Sequence, residues 1–263
     1  MNYTVAAMTD IGKKRATNQD SICVKRAIIA DIPVVMAIVC DGMGGLADGE
    51  LASATVVRGF DYWFENQFPD VAARIGLLDG VGETDWNELG RIWCRLLETA
   101  SHRIKHYGET RHESLGTTFS GMLIIGNSYL IVHVGDTRVY RIEEEAVQLT
   151  TDHTVVNREM LAGRMTLEEA ARSPMRSVLT QCVGASKDLE PEVRQGEVHS
   201  GDVYVICSDG FRHKISPEEM GLAFQTENLA TAAIMEQTCR EIADKVMARR
   251  EKDNISAVVI KAE

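Results

Sequence analysis

The 263-residue sequence has no apolar stretch approaching the ~20 residues that span a bilayer. Met1 to Met8 lacks the basic and apolar regions of a signal peptide. A soluble, cytoplasmic chain is therefore expected. Proline is scarce, with 5 residues, and there is no internal repeat, low-complexity tract or interdomain linker. With 44% apolar and 25% charged residues the composition builds a core, which excludes general disorder. No two cysteines form a C-x-x-C pair. Cys23, Cys40, Cys94, Cys182, Cys207 and Cys239 are scattered, and disulfide frameworks belong to short secreted chains, so reduced thiols are expected. Positive charge is in deficit: 28 Lys and Arg stand against 39 Asp and Glu, a net charge of −11. So acidic a chain is a poor partner for nucleic acid or an anionic membrane. Two phosphate-handling signatures are also missing. Gly42 to Gly45 lacks the Gly-Lys-Ser/Thr ending of a nucleotide-binding P-loop. No cysteine stands in a Cys-x5-Arg loop, which removes a thiol nucleophile; Cys207 ends an apolar run and is expected to point into the core.

What is present is a set of short strands and longer helices. Strands are expected at Thr4 to Met8, Pro33 to Cys40, Val203 to Cys207 and Ile255 to Ile260. Phe119 to Ile125, Tyr129 to Val134 and Arg138 to Ile142 are separated by Gly126-Asn127 and Gly135-Asp136, which reads as an antiparallel meander. Helical spacing of apolar residues marks Leu51 to Phe68, Trp86 to Tyr107 and Asn228 to Arg249, with Gly76 to Asp85 as a connection. Strands and helices come in blocks, so an α+β layered domain is favoured over a doubly wound parallel sheet. Between two core strands, Asp152 to Ser177 breaks the pattern with short helices at Val155 to Leu161 and Thr166 to Arg172. Thr166 and Glu169 form a capping-box pair there. This segment is expected to stand out as a flap.

The chemistry lies in aspartates at strand ends. Asp41-Gly42 follows one buried run and Asp209-Gly210 another; Asp136 sits between two strands, and Asp253-Asn254 precedes the last. Singly, Asp-Gly between strands is most often only a turn. Together, four carboxylates on rigid element ends are suited to hard divalent cations, which choose oxygen ligands. Glycine beside Asp41 would let a backbone carbonyl approach such an ion closely.

The order of the motifs resembles the type 2C, metal-dependent family of protein serine/threonine phosphatases in its bacterial form. The resemblance runs through Arg15-x-x-Asn18-Gln19-Asp20, Asp41-Gly42-Met43-Gly44-Gly45, Gly49-Glu50-Leu51-Ala52-Ser53, Gly116-Thr117-Thr118 and Gly135-Asp136-Thr137-Arg138-Val139-Tyr140. It continues through Leu149-Thr150-Thr151-Asp152-His153, Val178-Leu179-Thr180-Gln181, Ser208-Asp209-Gly210 and Asp253-Asn254. It covers nearly the whole chain and implies a single catalytic domain over 1–263. The implied fold is a four-layer αββα sandwich of two mainly antiparallel sheets flanked by helices, with a flap at about 152–177. The implied activity is hydrolysis of phosphoserine and phosphothreonine monoesters on proteins, by direct attack of a water or hydroxide shared between metals. The cofactor would be Mn²⁺ or Mg²⁺. Asp41, Asp209 and Asp253, with the Gly42 carbonyl, would hold two ions, and Asp136 with Asp209 a third. Asp20 would support the site through water. Arg15 would clamp the substrate phosphate, a task a planar guanidinium performs with two parallel hydrogen bonds.

Two positions depart from the family. Met43 stands where many eukaryotic relatives carry a histidine proposed as the acid for the leaving alkoxide, and a thioether cannot donate a proton. Gln19 replaces a frequent Glu and removes one negative charge. His153 is read as structural in preference to an acid, and Arg138 as part of its sheet in preference to a phosphate ligand. Phosphorylated proteins are the expected partners, with a bacterial serine/threonine kinase in opposition and a monomeric enzyme. Two alternatives stand beside this reading. One is a catalytically dead binding module, disfavoured because Asp20, Asp41, Asp136, Asp209 and Asp253 are all present. The other is a phosphatase dedicated to one regulatory phosphoprotein.

Overall fold

Alternate residues along each central strand face different cores, as the period-two geometry of a strand requires. In β3 (Ile32–Met43), Val34, Met36, Ile38 and Cys40 enter one core, and Val35, Ala37 and Val39 enter another. β5 (Phe119–Ile125) divides in the same way, with Phe119, Leu123 and Ile125 opposite Met122 and Ile124. So do β10 (Val203–Cys207) and β11 (Ile255–Ala262), whose Tyr204, Ile206, Val258 and Ile260 meet the inner face of β3 and β5. Strands apolar on both faces are strands covered on both sides.

The computed structural model describes residues 1–43, 48–75 and 84–263. Gly44, Gly45 and positions 76–83 of the expected connection lie outside the described residues. One sheet runs β1 (Tyr3–Asp10), β11, β10, β7 (Arg138–Ile142), β8 (Ala146–Gln148). The other runs β2 (Asp20–Ile29), β3, β5, β6 (Ser128–Val134), β9 (Glu192–Glu197), with the two-residue β4 (Gly116–Thr117) on the end of β3. Every pairing between these strands is antiparallel. The second sheet's outer face lies under α1 (Asp48–Asn66), α2 (Phe68–Arg74) and α3 (Trp86–Arg111), where Phe60, Trp63, Trp93 and Phe119 pack ring against ring. The first sheet's outer face lies under α6 (Asp209–Arg212), α7 (Pro217–Ala223) and α8 (Ala232–Ala248), through Phe211, Met220, Phe224, Cys239, Ile242 and Val246. The result is the four-layer αββα sandwich, two sheets face to face with helices on each outer side.

Between β8 and β9 the chain forms α4 (Val155–Leu161) and α5 (Leu167–Arg172). Thr154 caps α4 and the Thr166–Glu169 capping box opens α5, each cap worth about 1 kcal/mol. The unit is stapled at its base, where Val155 N donates to Val178 O and Thr180 N to His153 O. Its outer surface exposes Leu161, Leu167 and Met175. All six cysteines are free thiols, five of them buried. Cys207 faces the outer core, where burial pushes its thiol up to about 12. No described helix is long and apolar enough to cross a membrane.

Candidate metal centre

Strand register brings the sequence-predicted aspartates together at one end of the two sheets. Asp20 opens β2 directly across from Asp41 in β3. Asp136 lies in the turn from β6 to β7, Asp209 is the first residue of α6 just past β10, and Asp253 stands just before β11. The strand ends are pinned by their neighbours. The Asp41 N–H donates to Thr118 Oγ1 at 2.9 Å, and the Thr118 N–H returns a bond to the Asp41 carbonyl at 2.9 Å. Ser208 Oγ donates to Asp20 Oδ2 at 2.9 Å, linking the two sheets at the site, and Ser256 N donates to Ser208 Oγ at 3.0 Å. Gly42 serves packing here: a Cβ would collide with the Gly49 carbonyl at the start of α1. Gly210 likewise admits the Asn254 carbonyl against α6.

These carboxyls are costly to keep charged. Burial pushes Asp20 up to about 7, Asp136 to about 7 and Asp209 to about 6, and Asp209 adds repulsion to the first two. Asp41 is pushed well above the carboxylate range, first by burial and then by Asp20, Asp209, Asp136 and Asp253. Asp20 Oδ1 and Asp209 Oδ1 are buried with no hydrogen-bond partner among the described residues. Buried anions normally pair or coordinate metal. A set of mutually repelling carboxylates short of positive charge, two of them with an unpartnered buried oxygen, fits hard divalent cations.

Arg15 reaches this cluster from the loop between β1 and β2. Its Nε and Nη2 donate to Asp253 Oδ1 and Oδ2 at 2.9 and 2.6 Å, with the guanidinium about half exposed. That hydrogen bond raises the Arg15 pKa further, with Asp41 and Asp209 adding smaller attractions. The loop is tied down by Asn254, whose Nδ2 donates to Ile11 O and Thr17 O at 3.0 and 3.1 Å and whose Oδ1 accepts from Gln19 N at 2.9 Å. Sequence reasoning gave Asn254 no role; only the fold reveals that one amide holds both ends of the Arg15 loop.

The remaining polar candidates are engaged within the fold. Arg138 donates through Nε and Nη2 to Asp152 at 2.8 and 2.6 Å and through Nη1 to the Tyr140 hydroxyl at 2.9 Å. The His153 N–H donates to the Gly135 carbonyl at 2.7 Å, and His153 Nδ1 accepts from the Gly135 N–H at 3.3 Å. Burial lowers its pKa, so a neutral imidazole holds the Asp136 turn. Behind it, His133, His153 and Glu192 place ligand-type atoms within 4.8 Å of one another. Those atoms already have partners: Ser120 and Thr151 for His133, and the Thr151 N–H for Glu192 at 2.7 Å. Arg212, which the sequence did not single out, enters the site one turn after Asp209. Its Nη2 donates to the Asp136 carbonyl at 2.8 Å. A groove of about 430 Å³ runs from Asp136, Arg212 and His213 to the flap residues Val156, Met160 and Leu167.

A two-sheet sandwich carrying an aspartate cluster at its open end defines a class of metal-dependent hydrolases, and comparison with known proteins shows the family within it. The family model for protein phosphatase 2C matches residues 12–255, and the chain belongs to that family. It is 32% identical over 221 residues to the protein phosphatase PhpP of Streptococcus pneumoniae, covering 82% of each chain. Among solved structures it is similar to the serine/threonine phosphatase of S. agalactiae, with a TM-score of 0.79, 28% identity and 100% of both chains covered. It is also similar to the catalytic domain of the serine/threonine protein phosphatase PstP in complex with two manganese ions. That match has a TM-score of 0.76 and 26% identity, and covers 99% of both chains.

Proposed function

We propose that this chain is a metal-dependent protein serine/threonine phosphatase that hydrolyses phosphoserine and phosphothreonine monoesters on proteins. The observation that carries the reading is the convergence of Asp20, Asp41 and Asp209 into one charge-starved cluster, with the partly exposed Asp253 and its Arg15 partner at the mouth. Asp41, Asp209, Asp253 and the Gly42 carbonyl would hold two Mn²⁺ or Mg²⁺ ions. When bound, such a pair neutralises the phosphoryl oxygens and acidifies the attacking water.

The chain's own residues supply position. Arg15 would take two phosphate oxygens through the Nε and Nη2 donors that now hold Asp253. Asp20 Oδ1 is free to accept a hydrogen bond from water. The net change is hydrolysis: a water oxygen bonds to phosphorus as the P–O bond to the serine or threonine oxygen breaks, and the leaving oxygen takes up a proton. Met43 cannot give that proton, and His153 is committed to the Gly135 turn. The single domain is proposed to span 1–263, with the flap at about 152–177 selecting phosphoprotein substrates along the groove it borders. A cytoplasmic location and an opposing serine/threonine kinase complete the proposal.

The test is phosphate release from p-nitrophenyl phosphate and a phosphothreonine peptide, with Mn²⁺, Mg²⁺ or chelator, beside Asp209→Ala. Metal-dependent turnover lost in the variant supports the proposal. A folded wild-type chain inert with both ions sinks it in favour of a binding module.

A further inference from the structure

Family resemblance leads one to expect a third divalent ion between Asp136 and Asp209. The position beside Asp136 is already served by a charge of the chain itself. Arg212 lies on α6, three residues after Asp209, with its side chain 9% exposed. Its Nη2 donates to the Asp136 carbonyl at 2.8 Å and lies 3.7 Å from both Asp136 Oδ2 and Asp152 Oδ2. Asp152 is already satisfied by the two-pronged bond from Arg138. The second guanidinium is therefore left to Asp136 and also favours the ionised form of Asp209, the two carboxyls between which a third ion would sit. A guanidinium does not lose its proton in a protein, so this charge is permanent. Arg212 Nε is buried and has no hydrogen-bond partner among the described residues, so no bond at that nitrogen draws the charge elsewhere.

Charge accounting separates the site into two zones. Asp20, Asp41, Asp209, Asp253 and the neighbouring Glu251 carry five negative charges, Arg15 on Asp253 returns one positive, and two divalent ions balance the remaining four. Asp136 and Asp152 carry two, which Arg138 and Arg212 balance without any ion. A third divalent ion on Asp136 would have to settle beside a fixed cation, where like charges repel.

We propose that Arg212 is a built-in cation that takes the place of a third metal at Asp136, so that this enzyme works as a two-ion phosphatase. The inference rests on the two-ion reading above. It makes Arg212 a positioning residue that fixes the metal count and the orientation of Asp136.

The experiment counts bound Mn²⁺ by calorimetric titration and by electron paramagnetic resonance of the free ion, on the full chain and on Arg212→Gln, Arg212→Lys and Arg212→Gln with Asp136→Asn. Two ions are expected on the wild type. Arg212→Gln should gain a third, at least about tenfold tighter than any third ion on the wild type, because the opposing charge is gone. Arg212→Lys keeps the charge and should stay at two, and the double variant should return to two. Arg212→Lys also covers the case in which the glutamine variant fails to fold: a third ion on the lysine variant overturns the inference. So does a third ion on the wild type with affinity unmoved by Arg212→Gln, or a count of two in Arg212→Gln. A wild type that binds no Mn²⁺ and releases no phosphate overturns the phosphatase reading itself; two tight ions with turnover leave that reading standing and isolate the role of Arg212.

Discussion

Neutralising Asp209 with an isosteric amide should abolish turnover and, in chelator, make the protein more stable. Burial raises the Asp209 carboxyl from 3.8 to about 6, so at pH 8 the ionised group opposes the metal-free fold by roughly 3 kcal/mol at ~1.4 kcal/mol per unit. The amide of Asp209→Asn would carry no charge and would offer a donor to the neighbouring carboxylates. For a chain of this size that gain corresponds to a rise of about 5–10 °C in melting temperature. The pH dependence has a fixed sign. A carboxyl raised in the folded state binds more protons folded than unfolded between pH 3.8 and about 6, so wild-type stability in chelator falls as pH rises through that window. The advantage of Asp209→Asn is therefore full above about pH 6 and vanishes below about pH 4. Saturating Mn²⁺ reverses the order, since about 100 times Kd stabilises the binding-competent form by about 2.7 kcal/mol per site. Thermal melts of both proteins at pH 8 and pH 5, with EDTA and with Mn²⁺, check this. A variant that melts at or below the wild type in EDTA at pH 8 would refute the claim that the site stores unbalanced charge.

Arg15→Ala should lower kcat/KM on a phosphothreonine peptide by about 10- to 100-fold, the worth of a charge-assisted hydrogen-bond pair of roughly 1.5–3 kcal/mol, with little loss of stability because the side chain is half exposed. Arg15→Lys should recover only part of this in steady-state kinetics, since an ammonium lacks the fork. Asp152→Ala should cost about 3–5 kcal/mol in urea unfolding, by leaving the mostly buried Arg138 without its partner. His133 is held at about 3 by burial, against an ordinary 6.5. Its contribution is whole above pH 6.5 and is lost as pH falls towards 3, so His133→Gln should flatten the acid limb of the stability curve measured with Mn²⁺ present.

Much of the fold was legible because its central strands are apolar on both faces. β5, β7 and β10 coincide with the runs read from sequence, and α4 with its helical segment. The strands that escaped notice are those with weak patterns. β9, Glu192–Glu197, is an edge strand of mostly exposed polar residues that is held by pairing with β6. β2 carries Lys25 and Arg26 in its middle, and Lys25 reaches out to Asp61 and Glu65. The apolar run Leu51 to Phe68 proved to end in two helices, since Phe68-Pro69 restarts the chain as α2 with proline in its first turn.

The same distinction explains which parts of the site could be read early. Asp41, Asp136, Asp209 and Asp253 each stand at the edge of an apolar strand, so their positions mark them in one dimension. Asn254 and Arg212 have no such signature. Asn254 matters because Ile11, Thr17 and Gln19, more than two hundred residues away in sequence, return to its side chain. Arg212 reads as an ordinary surface cation in Ser208-Asp209-Gly210-Phe211-Arg212, until α6 turns it inward onto the carbonyl of Asp136 in the β6–β7 turn. Motif order thus locates the negative charge of the site, whereas the positive charge that decides how many ions it admits depends on which side chains the two sheets bring together.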